Sequence, residues 1–371
     1  MLIERIDVYR ARIPTAINFR TSYGDHLATD TLLVRMESGG VHAWGESCPP
    51  WFPGYSSEYS GASFLTVREY MAPKVIGQRL DSAEALLERI AYVKGNQFAR
   101  AALEIPWWVL EAKRRGVPLH EALGGEGDTV KVGADFGVQD TLDELMAKIQ
   151  GAVDAGFPRV KLKFRPGWDV KMVDAVRSTF PTHTFHVDCN AAYTLADVDL
   201  FRSLDRYHLA MIEQPLQDDG ASLVNHAELQ RSIETPVCLD ESAQSLEHVQ
   251  AAIRLGACRV INIKMARVGG LTASRAIQAL CAEHGIPCWV GGMLESGIGG
   301  QICAELATLP NFTYAGDIFP SSYFYTNDLG KPEIVLSGPG EVATSKVPGI
   351  PQEPDPDLLA KWTVDHAAFR A

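Results

Sequence analysis

The sequence lacks the features that carry a chain into a membrane or a disulfide-rich fold. It contains no run of 18 apolar residues, and the N-terminal stretch MLIERIDVYRARIP has no apolar core of the signal-peptide kind. The seven cysteines are an odd number, and no CxxC motif occurs among them. A disulfide framework is therefore not expected. We expect a protein of the reducing cytoplasm with no membrane partner.

Basic patches are also missing, and the formal net charge is −12. Nucleic acid is therefore not an expected partner. Of the 371 residues, 46% are hydrophobic and 22% are charged, which is typical of a globular protein with about two domains. A chain this acidic can bind an anionic substrate only where a metal ion or lysines supply local positive charge.

The N-terminal third has a mixed α+β pattern. Residues 2–46 are predicted to form strands, with ESGG as a hairpin turn, and two helical segments follow. The second of these, FARAALEIPWWVLEAKRRG, is predicted to end at Gly116 as its C-cap. We predict an α+β domain over residues 1–125, joined by the C-terminal segment 326–371. In that segment, KPEIVLSGPGEVATSKVPGI is predicted to be a hairpin that returns to the N-terminal unit.

Residues 126–325 alternate short apolar runs with helical patterns, which predicts βαβ units and a parallel sheet. Seven such repeats favour a (β/α) barrel. A polar residue recurs at the predicted strand ends at intervals of 25, 25, 27 and 24 residues, through Lys163, Asp188, Glu213, Asp240 and Lys264. This spacing predicts that all five lie at the C-terminal mouth of one barrel, where barrel enzymes place their chemistry.

Three of these residues are carboxylates, Asp188, Glu213 and Asp240. Three carboxylates from neighbouring strands would repel one another strongly unless a cation lay between them. Oxygen ligands without a nearby His or Cys cluster favour Mg²⁺, with Mn²⁺ as the other candidate. The sequence therefore predicts a metal site on this triad.

Lysines flank the predicted metal site on both sides. Lys163 precedes it and Lys264 follows it, and in VKLKF the alternation of side chains puts Lys161 on the same face as Lys163. A lysine acts as a base only when it is neutral, so the pKa of Lys163 is expected to fall through burial, the metal and Lys161. Two catalytic lysines and a metal suit the removal of a proton α to a carboxylate.

Several motifs in order resemble those of the enolase superfamily, in its muconate-lactonizing subgroup, and are most similar to o-succinylbenzoate synthases and N-acylamino acid (N-succinylamino acid) racemases. The motifs are KLKFRPGWD (161–169), DCNAAYT (188–194), IEQPL (212–216), CLDES (238–242), NIKMARVGGL (262–271) and GGMLESGIG (291–299). The resemblance implies a modified (β/α)7β TIM-type barrel, of the α/β class, with an α+β capping domain. It also suggests a homo-oligomer.

The resemblance implies a role for each site residue. Lys163 would be the acid/base, Lys264 would lie opposite it, and Lys161 would contact the carboxylate of a small-molecule substrate. Mg²⁺ would bind the triad, and Glu241 would be either a further ligand or a partner of one. The residues expected to bind or enclose the substrate are Phe19, Tyr55, Asp135, Asn190, Arg267, Gly292, Met293, Leu294 and Asp317.

The reaction stays open among members of this family. It could be the dehydration that makes o-succinylbenzoate for menaquinone synthesis, 1,1-proton transfer on an N-acylamino acid, or cycloisomerisation of a muconate-type diacid. Arg267, three residues after the second lysine, is typical of the racemases. Asp135 lies where such relatives often have a small hydroxyl residue, and Gly300 where they often have an arginine. A second anion at residue 135 would disfavour an N-succinyl tail unless a cation or water offset it. The alternative that is not an enzyme is a metal-binding scaffold without catalytic activity.

Overall fold

The computed structural model describes residues 1–371 and every side chain apart from that of His26. Its strands are Arg5–Thr21 (β1), Gly24–Ser38 (β2), Val41–Ser47 (β3), Thr129–Lys131 (β4), Ala134–Phe136 (β5), Arg159–Lys163 (β6), Thr184–Asp188 (β7), Ile212–Glu213 (β8), Val237–Leu239 (β9), Val260–Ile263 (β10), Cys288–Val290 (β11), Gly330–Lys331 (β12), Leu336–Gly338 (β13), Glu341–Ala343 (β14), Glu353–Pro354 (β15) and Thr363–Arg370 (β16).

The α-helices alternate with the strands through the middle of the chain. They are Ser60–Thr66 (α1), Ala72–Val75 (α2), Ala83–Arg89 (α3), Gln97–Arg115 (α4), Leu119–Leu123 (α5), Leu142–Asp154 (α6), Val170–Thr179 (α7), Val198–Leu204 (α8), Ser222–Ser232 (α9), Leu246–Leu255 (α10), Leu271–Glu283 (α11), Gly297–Leu306 (α12), Ser321–Phe324 (α13) and Pro356–Trp362 (α14). A π-helical turn, Val67–Met71, joins α1 to α2. None of the helices in the described residues is both long and apolar enough to cross a membrane.

The N-terminal part is an antiparallel sheet in the order β16-β1-β2-β3, covered by helices. The predicted ESGG turn lies between β2 and β3, where Gly39 and Gly40 have φ of 59° and 76°. Both residues of such a turn need positive φ, which glycine adopts without steric cost. The long helix α4 ends at Gly116, in the left-handed conformation predicted for its C-cap. The α+β character of this part is therefore confirmed.

The central part is a parallel sheet of seven strands in sequential order from β5 to β11. The segment 312–317 bridges its two ends, because Phe312 pairs with Cys288 of β11 and Gly316 pairs with Val132 just before β5. The Gly133 N–H donates to the Gly316 carbonyl at 2.9 Å, and the Asp317 N–H donates to the Val290 carbonyl at 2.8 Å. Seven strand–helix units and one closing strand-like segment make the expected (β/α)7β barrel.

The C-terminal segment differs from the prediction in one respect. The hairpin β13–β14 does form, but β14 pairs with β4 at the start of the barrel and not with the N-terminal sheet. The strand that returns to the N-terminal sheet is β16, which lies antiparallel to β1 with Arg5 opposite Arg370. A hairpin pattern predicts the turn and its two strands, but it does not identify the sheet edge that they join. The division at residues 125 and 325 stays a prediction.

Candidate active site

The strand β6 turns its charged residues into the barrel. Val160 and Leu162 alternate with Arg159, Lys161 and Lys163, and all five are buried. Because successive side chains of a strand point to opposite faces, the apolar pair packs outward under the helices while the cations share the inner face. Lys161 is 2% exposed and Lys163 is 6% exposed, so neither is solvated like a surface lysine.

The three predicted metal ligands come from the next three strands. In the parallel register Lys163 lies beside Asp188, and Asp188 lies beside Glu213. Asp240 directly follows β9. All three carboxylates are buried, and each offers an oxygen within 4.8 Å of the others. The regular spacing of these residues in the sequence thus corresponds to one cluster in the structure.

Lys161 lies between two members of this cluster, Asp188 and Glu213, and Asp317. Its Nζ is 2.9 Å from Asp188 Oδ2, 3.0 Å from Glu213 Oε2 and 3.2 Å from Asp317 Oδ2. Burial alone would raise the pKa of Asp188, but Lys161 and Lys163 hold it well below its usual range. For Glu213, burial and the Asp188 charge prevail, and its pKa is raised well above the ordinary value. Burial and the Asp188 charge therefore disfavour the ionised form of Glu213 more than the Lys161 charge favours it.

Lys163 differs from the sequence-based expectation in its pKa. Burial and the Lys161 charge lower it, but Asp135 and Asp188 outweigh them and raise the pKa of Lys163 above its ordinary value. The Nζ lies 2.7 Å from Asp188 Oδ2 and 3.7 Å from Asp135 Oδ2. Asp188 is also one of the predicted metal ligands. A bound cation would therefore partly neutralise the negative charge that raises the pKa of Lys163.

Lys264 approaches the cluster from the other side of the barrel. It directly follows β10. The seven strands and the segment 312–317 form a ring of eight members, and β10 is four members away from β6, which is half the circumference. Lys264 Nζ lies 2.9 Å from Asp240 Oδ2 and 4.7 Å from the centre of the Tyr55 ring. Lys163 and Lys264 therefore face the same space from opposite directions.

That space is an open cleft between the barrel mouth and the N-terminal part. The side chains of Lys161, Lys163 and Lys264 all line this cleft. Of the residues predicted to bind substrate, those that line it are Phe19, Tyr55, Asp135, Asn190, Gly292, Met293, Leu294 and Asp317. Gly300 lies in α12 and is not part of this lining. The structure thus brings together residues that are almost 300 positions apart in the sequence.

Arg267 is the predicted substrate contact that does not line the cleft. Its guanidinium is 3% exposed and forms a close ion pair with Asp240. It also donates to Tyr55 Oη at 3.0 Å and to the Asn262 carbonyl at 2.6 Å. Tyr55 Oη in turn donates to Asp240 Oδ1 at 2.7 Å. We therefore revise its expected role, because these bonds make Arg267 a residue that positions Asp240 and Tyr55.

Glu241 lies beside the triad without being one of its three members. Glu241 Oε1 accepts hydrogen bonds from Tyr23 Oη at 2.6 Å and Asn190 Nδ2 at 3.3 Å. Burial and the Asp240 and Asp188 charges raise the pKa of Glu241 to about 8. The contact with Tyr23 connects the N-terminal part directly to the barrel mouth.

The donor set can be tested for its fit to a metal ion. The triad supplies only oxygen atoms, and two more buried oxygens nearby, Asn190 Oδ1 and Glu241 Oε2, accept no hydrogen bond from any described side chain. Hard divalent cations bind such oxygen sets, and buried oxygens without a donor are rare unless something else satisfies them. The residues therefore fit a divalent metal ion.

Two polar residues of the site were missed at the level of sequence, although the alternation of side chains could have found them. Arg159, two residues before Lys161, forms a buried ion pair with Asp317. Asn262, two residues before Lys264, donates from Nδ2 to Glu213 Oε1 at 2.7 Å. Each lies one step further along a strand face that already carried a predicted lysine.

A third missed residue, Glu46 in β3, holds the loop that follows the last barrel strand. Its Oε1 accepts from Thr31 Oγ1 at 2.8 Å and from the Ser296 N–H at 3.1 Å. Its Oε2 accepts from Ser296 Oγ at 2.6 Å and from the Gly299 N–H at 2.7 Å. Glu46 is fully buried and lies at the N-terminus of α12. A carboxylate there satisfies free N–H groups and complements the helix dipole.

The loop itself, residues 292–294, forms one wall of the cleft. A Cβ on Gly292 would lie 2.6 Å from the main-chain oxygen of Asp317, so only glycine allows this loop to lie so close to the closing segment. The Met293 N–H donates to Glu295 Oε2 at 2.8 Å. Burial raises the pKa of Glu295 to about 7, against the hydrogen bond from Met293.

Comparison with known proteins agrees with this fold. The model of the "Mandelate racemase / muconate lactonizing enzyme, N-terminal domain" matches residues 5–124, and that of the "Enolase C-terminal domain-like" family matches residues 144–358. The crystal structure of an enolase-superfamily member from Listeria innocua has a TM-score of 0.94 and 33% identity, over 100% of this chain and 99% of that one.

Two relatives named after a reaction are similar over nearly their whole length. The o-succinylbenzoate synthase of Geobacillus kaustophilus is 40% identical over 362 residues, which cover 97% of this chain and 96% of the relative. The N-succinylamino acid racemase of an Amycolatopsis species is 39% identical over 369 residues, which cover 98% of each chain.

The fold and these relatives define an enzyme of the enolase superfamily, in the lyase and isomerase class. Within it, the chain belongs to the mandelate racemase/muconate lactonizing enzyme family. The resemblance inferred from the sequence motifs is thereby confirmed.

Proposed function

We propose that the protein binds Mg²⁺, or Mn²⁺, on Asp188, Glu213 and Asp240 and removes a proton from the carbon α to a carboxylate. The observation that carries this proposal is the placement of Lys163 and Lys264 on opposite sides of one cleft, with the carboxylate triad between them. A proton can then leave one face of a carbon atom and another can arrive at the opposite face.

Each side chain has a role that follows from its position. When bound, the metal ion supplies positive charge that stabilises the second negative charge of the substrate's enediolate form. The Lys161 ammonium binds the substrate carboxylate. Lys163 Nζ, when neutral, accepts the α-proton, and Lys264 Nζ, when charged, donates a proton to the opposite face. The α-carbon is thereby inverted, and the two lysines exchange protonation states.

The first candidate substrate is an N-acylamino acid, because its racemisation uses both lysines in this way. The relative from Amycolatopsis is named as such a racemase. The second candidate substrate is the precursor that is dehydrated to o-succinylbenzoate. The Geobacillus relative is named after this product. In the dehydration, Lys163 would take the proton and return it to the departing hydroxyl, while the Lys264 ammonium would only stabilise charge. A cytoplasmic location and a homo-oligomer stay predictions.

Proton exchange in D₂O tests the proposal. The protein is incubated with Mg²⁺ and single enantiomers of N-acetyl, N-succinyl and N-succinamoyl amino acids, while α-deuteration is followed by NMR and inversion by polarimetry. Deuteration with loss of optical rotation supports racemisation. Conversion of the cyclohexadiene precursor of o-succinylbenzoate, without α-exchange of the amino acids, supports the dehydration.

A control variant separates the proposed base from other lysines nearby. Lys171 is exposed in α7, the helix that follows β6, and Lys171→Ala should leave α-deuteration unchanged. For the enantiomer whose α-proton faces Lys163, Lys163→Ala should lower α-deuteration by about 100-fold or more. If folded, metal-loaded protein exchanges no α-proton and converts no precursor, the proposed function is wrong.

A further inference from the structure

Asp135 is a buried carboxylate on the side of Lys163 that faces away from the triad. It lies in β5, the neighbour of β6, whereas the triad residues follow on the other side in β7, β8 and just after β9. In the register Asp135 is level with Lys161. It is 6% exposed and lines the cleft.

The described side chains leave this carboxylate short of hydrogen-bond donors. Asp135 Oδ1 accepts no hydrogen bond from any of them, and Oδ2 is 3.7 Å from Lys163 Nζ, which is too far for one. Tyr323 Oη donates at 2.6 Å to the main-chain oxygen of Asp135 and not to its carboxylate. Burial is the largest cause that raises the pKa of Asp135 above its ordinary value, and Asp317 adds to it, against the opposing effect of Lys163 and Lys161. A buried acceptor without a donor is rare and costly.

The position of the substrate follows from the order of the strands. If the reacting carboxylate faces the triad and the α-carbon lies at Lys163, a substituent that extends past Lys163 reaches β5. A second cavity, which is open to solvent, begins there, since Asp135 and Phe19 line both it and the cleft. Gln139 and Tyr323 are among its other lining residues. There is consequently room for a substituent beside the Asp135 carboxylate.

We propose that Asp135 determines substrate specificity by accepting a hydrogen bond from an N–H group on the acyl tail of an N-acylamino acid, and by rejecting tails that end in a carboxylate. The proposal rests on the proposed function, because it assumes that the reacting carboxylate lies at the triad. A carboxylate tail would place a second anion beside Asp135 in a site with little water, whereas a carboxamide tail would supply the missing donor.

An isosteric pair of substrates tests this directly. N-succinyl and N-succinamoyl derivatives of one amino acid differ only in a terminal carboxylate or carboxamide. For the unmodified protein, kcat/KM for α-deuteration should be at least about tenfold higher with the succinamoyl compound. In Asp135→Asn, which keeps the shape and removes the charge, the ratio should fall to about one, mainly because the succinyl compound improves.

Controls distinguish this effect from a loss of structure or of net charge. Asp154→Asn removes the same charge from the exposed end of α6, and it should keep the ratio of the unmodified protein. Asp135→Ser provides a second uncharged variant if Asp135→Asn is unstable, and melting temperatures show which variants are folded. Equal use of the two substrates by the unmodified protein would overturn the proposal for Asp135 and leave the proposed function intact.

If Asp135→Asn lowers kcat/KM by the same factor for both substrates, the proposal for Asp135 is also overturned, because Asp135 would then act only through Lys163. If neither substrate exchanges its α-proton in the unmodified protein, racemisation of N-acylamino acids, on which this proposal rests, is the part that fails.

Discussion

Replacing Glu46 by glutamine tests whether the N-terminal part holds the cleft loop through hydrogen bonds. Glutamate offers two oxygens to five donors, which are two hydroxyls, the Cys48 thiol and the N–H groups of Ser296 and Gly299. Glutamine has one side-chain oxygen, so whichever way its amide is turned, one of these two N–H groups faces an NH₂ group. Hydroxyls can rotate toward another acceptor, but a main-chain N–H cannot.

The magnitude follows from these contacts. A buried donor without an acceptor costs about 1–3 kcal/mol, and the lost charge at the start of α12 costs about 0.3–1 kcal/mol, so Glu46→Gln should lower the free energy of unfolding by about 1.3–4 kcal/mol. Glu247 provides the control, since it is exposed in the first turn of α10 and accepts from Ser245 Oγ at 2.7 Å. Glu247→Gln should cost less than about 1 kcal/mol.

Urea unfolding followed by tryptophan fluorescence measures both variants, and unchanged m-values would show that the same surface unfolds. The expected order is a clearly lower midpoint for Glu46→Gln than for Glu247→Gln. If the two midpoints shift equally, Glu46 contributes only its charge and the argument from the unpaired N–H is refuted.

Three further predictions concern the lysines, the metal and acid stability. Lys163→Ala and Lys264→Ala should each abolish α-deuteration from one enantiomer of an N-acylamino acid and spare the other, and loss from both enantiomers in either variant would contradict the two-sided arrangement. Chelation of divalent ions should lower the melting temperature and stop α-exchange, and Mg²⁺ at about 100 times its Kd should add about 2.7 kcal/mol to the free energy of unfolding. A melting temperature that ignores Mg²⁺ would exclude a metal site in the folded protein. Burial lowers the pKa of His226 to about 4, so the fold keeps it neutral while the unfolded chain takes up a proton below about pH 6.5. Stability from this residue is therefore present above pH 6.5 and is lost as the pH falls to about 4, by up to about 3 kcal/mol. Urea unfolding at a series of pH values should show that the free energy of unfolding falls less steeply below pH 6.5 in His226→Gln than in the unmodified protein. The exposed His284→Gln should show no such change.

The sequence was sufficient to predict residues that follow a repeating rule. The alternation of strand side chains explains Lys161 beside Lys163, and the regular interval from strand to strand explains the triad. The same alternation extends to Arg159 and Asn262, so both were predictable in principle. Such rules work because the backbone period and the closure of a barrel do not depend on particular neighbours.

Other features depend on contacts that no local pattern records. Arg267 was expected at the substrate, but its guanidinium reaches back to Asp240 and Tyr55. Glu46 lies 250 residues before Ser296, and only the packing of the two parts makes it a cap for α12. The pKa of Lys163 likewise depends on Asp135, a neighbour in another strand, in addition to the burial that the sequence implied.

The pairing of β16 with β1 has a consequence for the way this chain folds during synthesis. Arg5 lies opposite Arg370, so the outer edge of the first strand is covered by a segment that the ribosome adds only after the whole barrel. Until then β1 presents a row of unpaired backbone groups, which invites pairing with other chains. A fusion or truncation at residues 363–370 should therefore harm the N-terminal sheet and the yield of folded protein more than it harms the barrel.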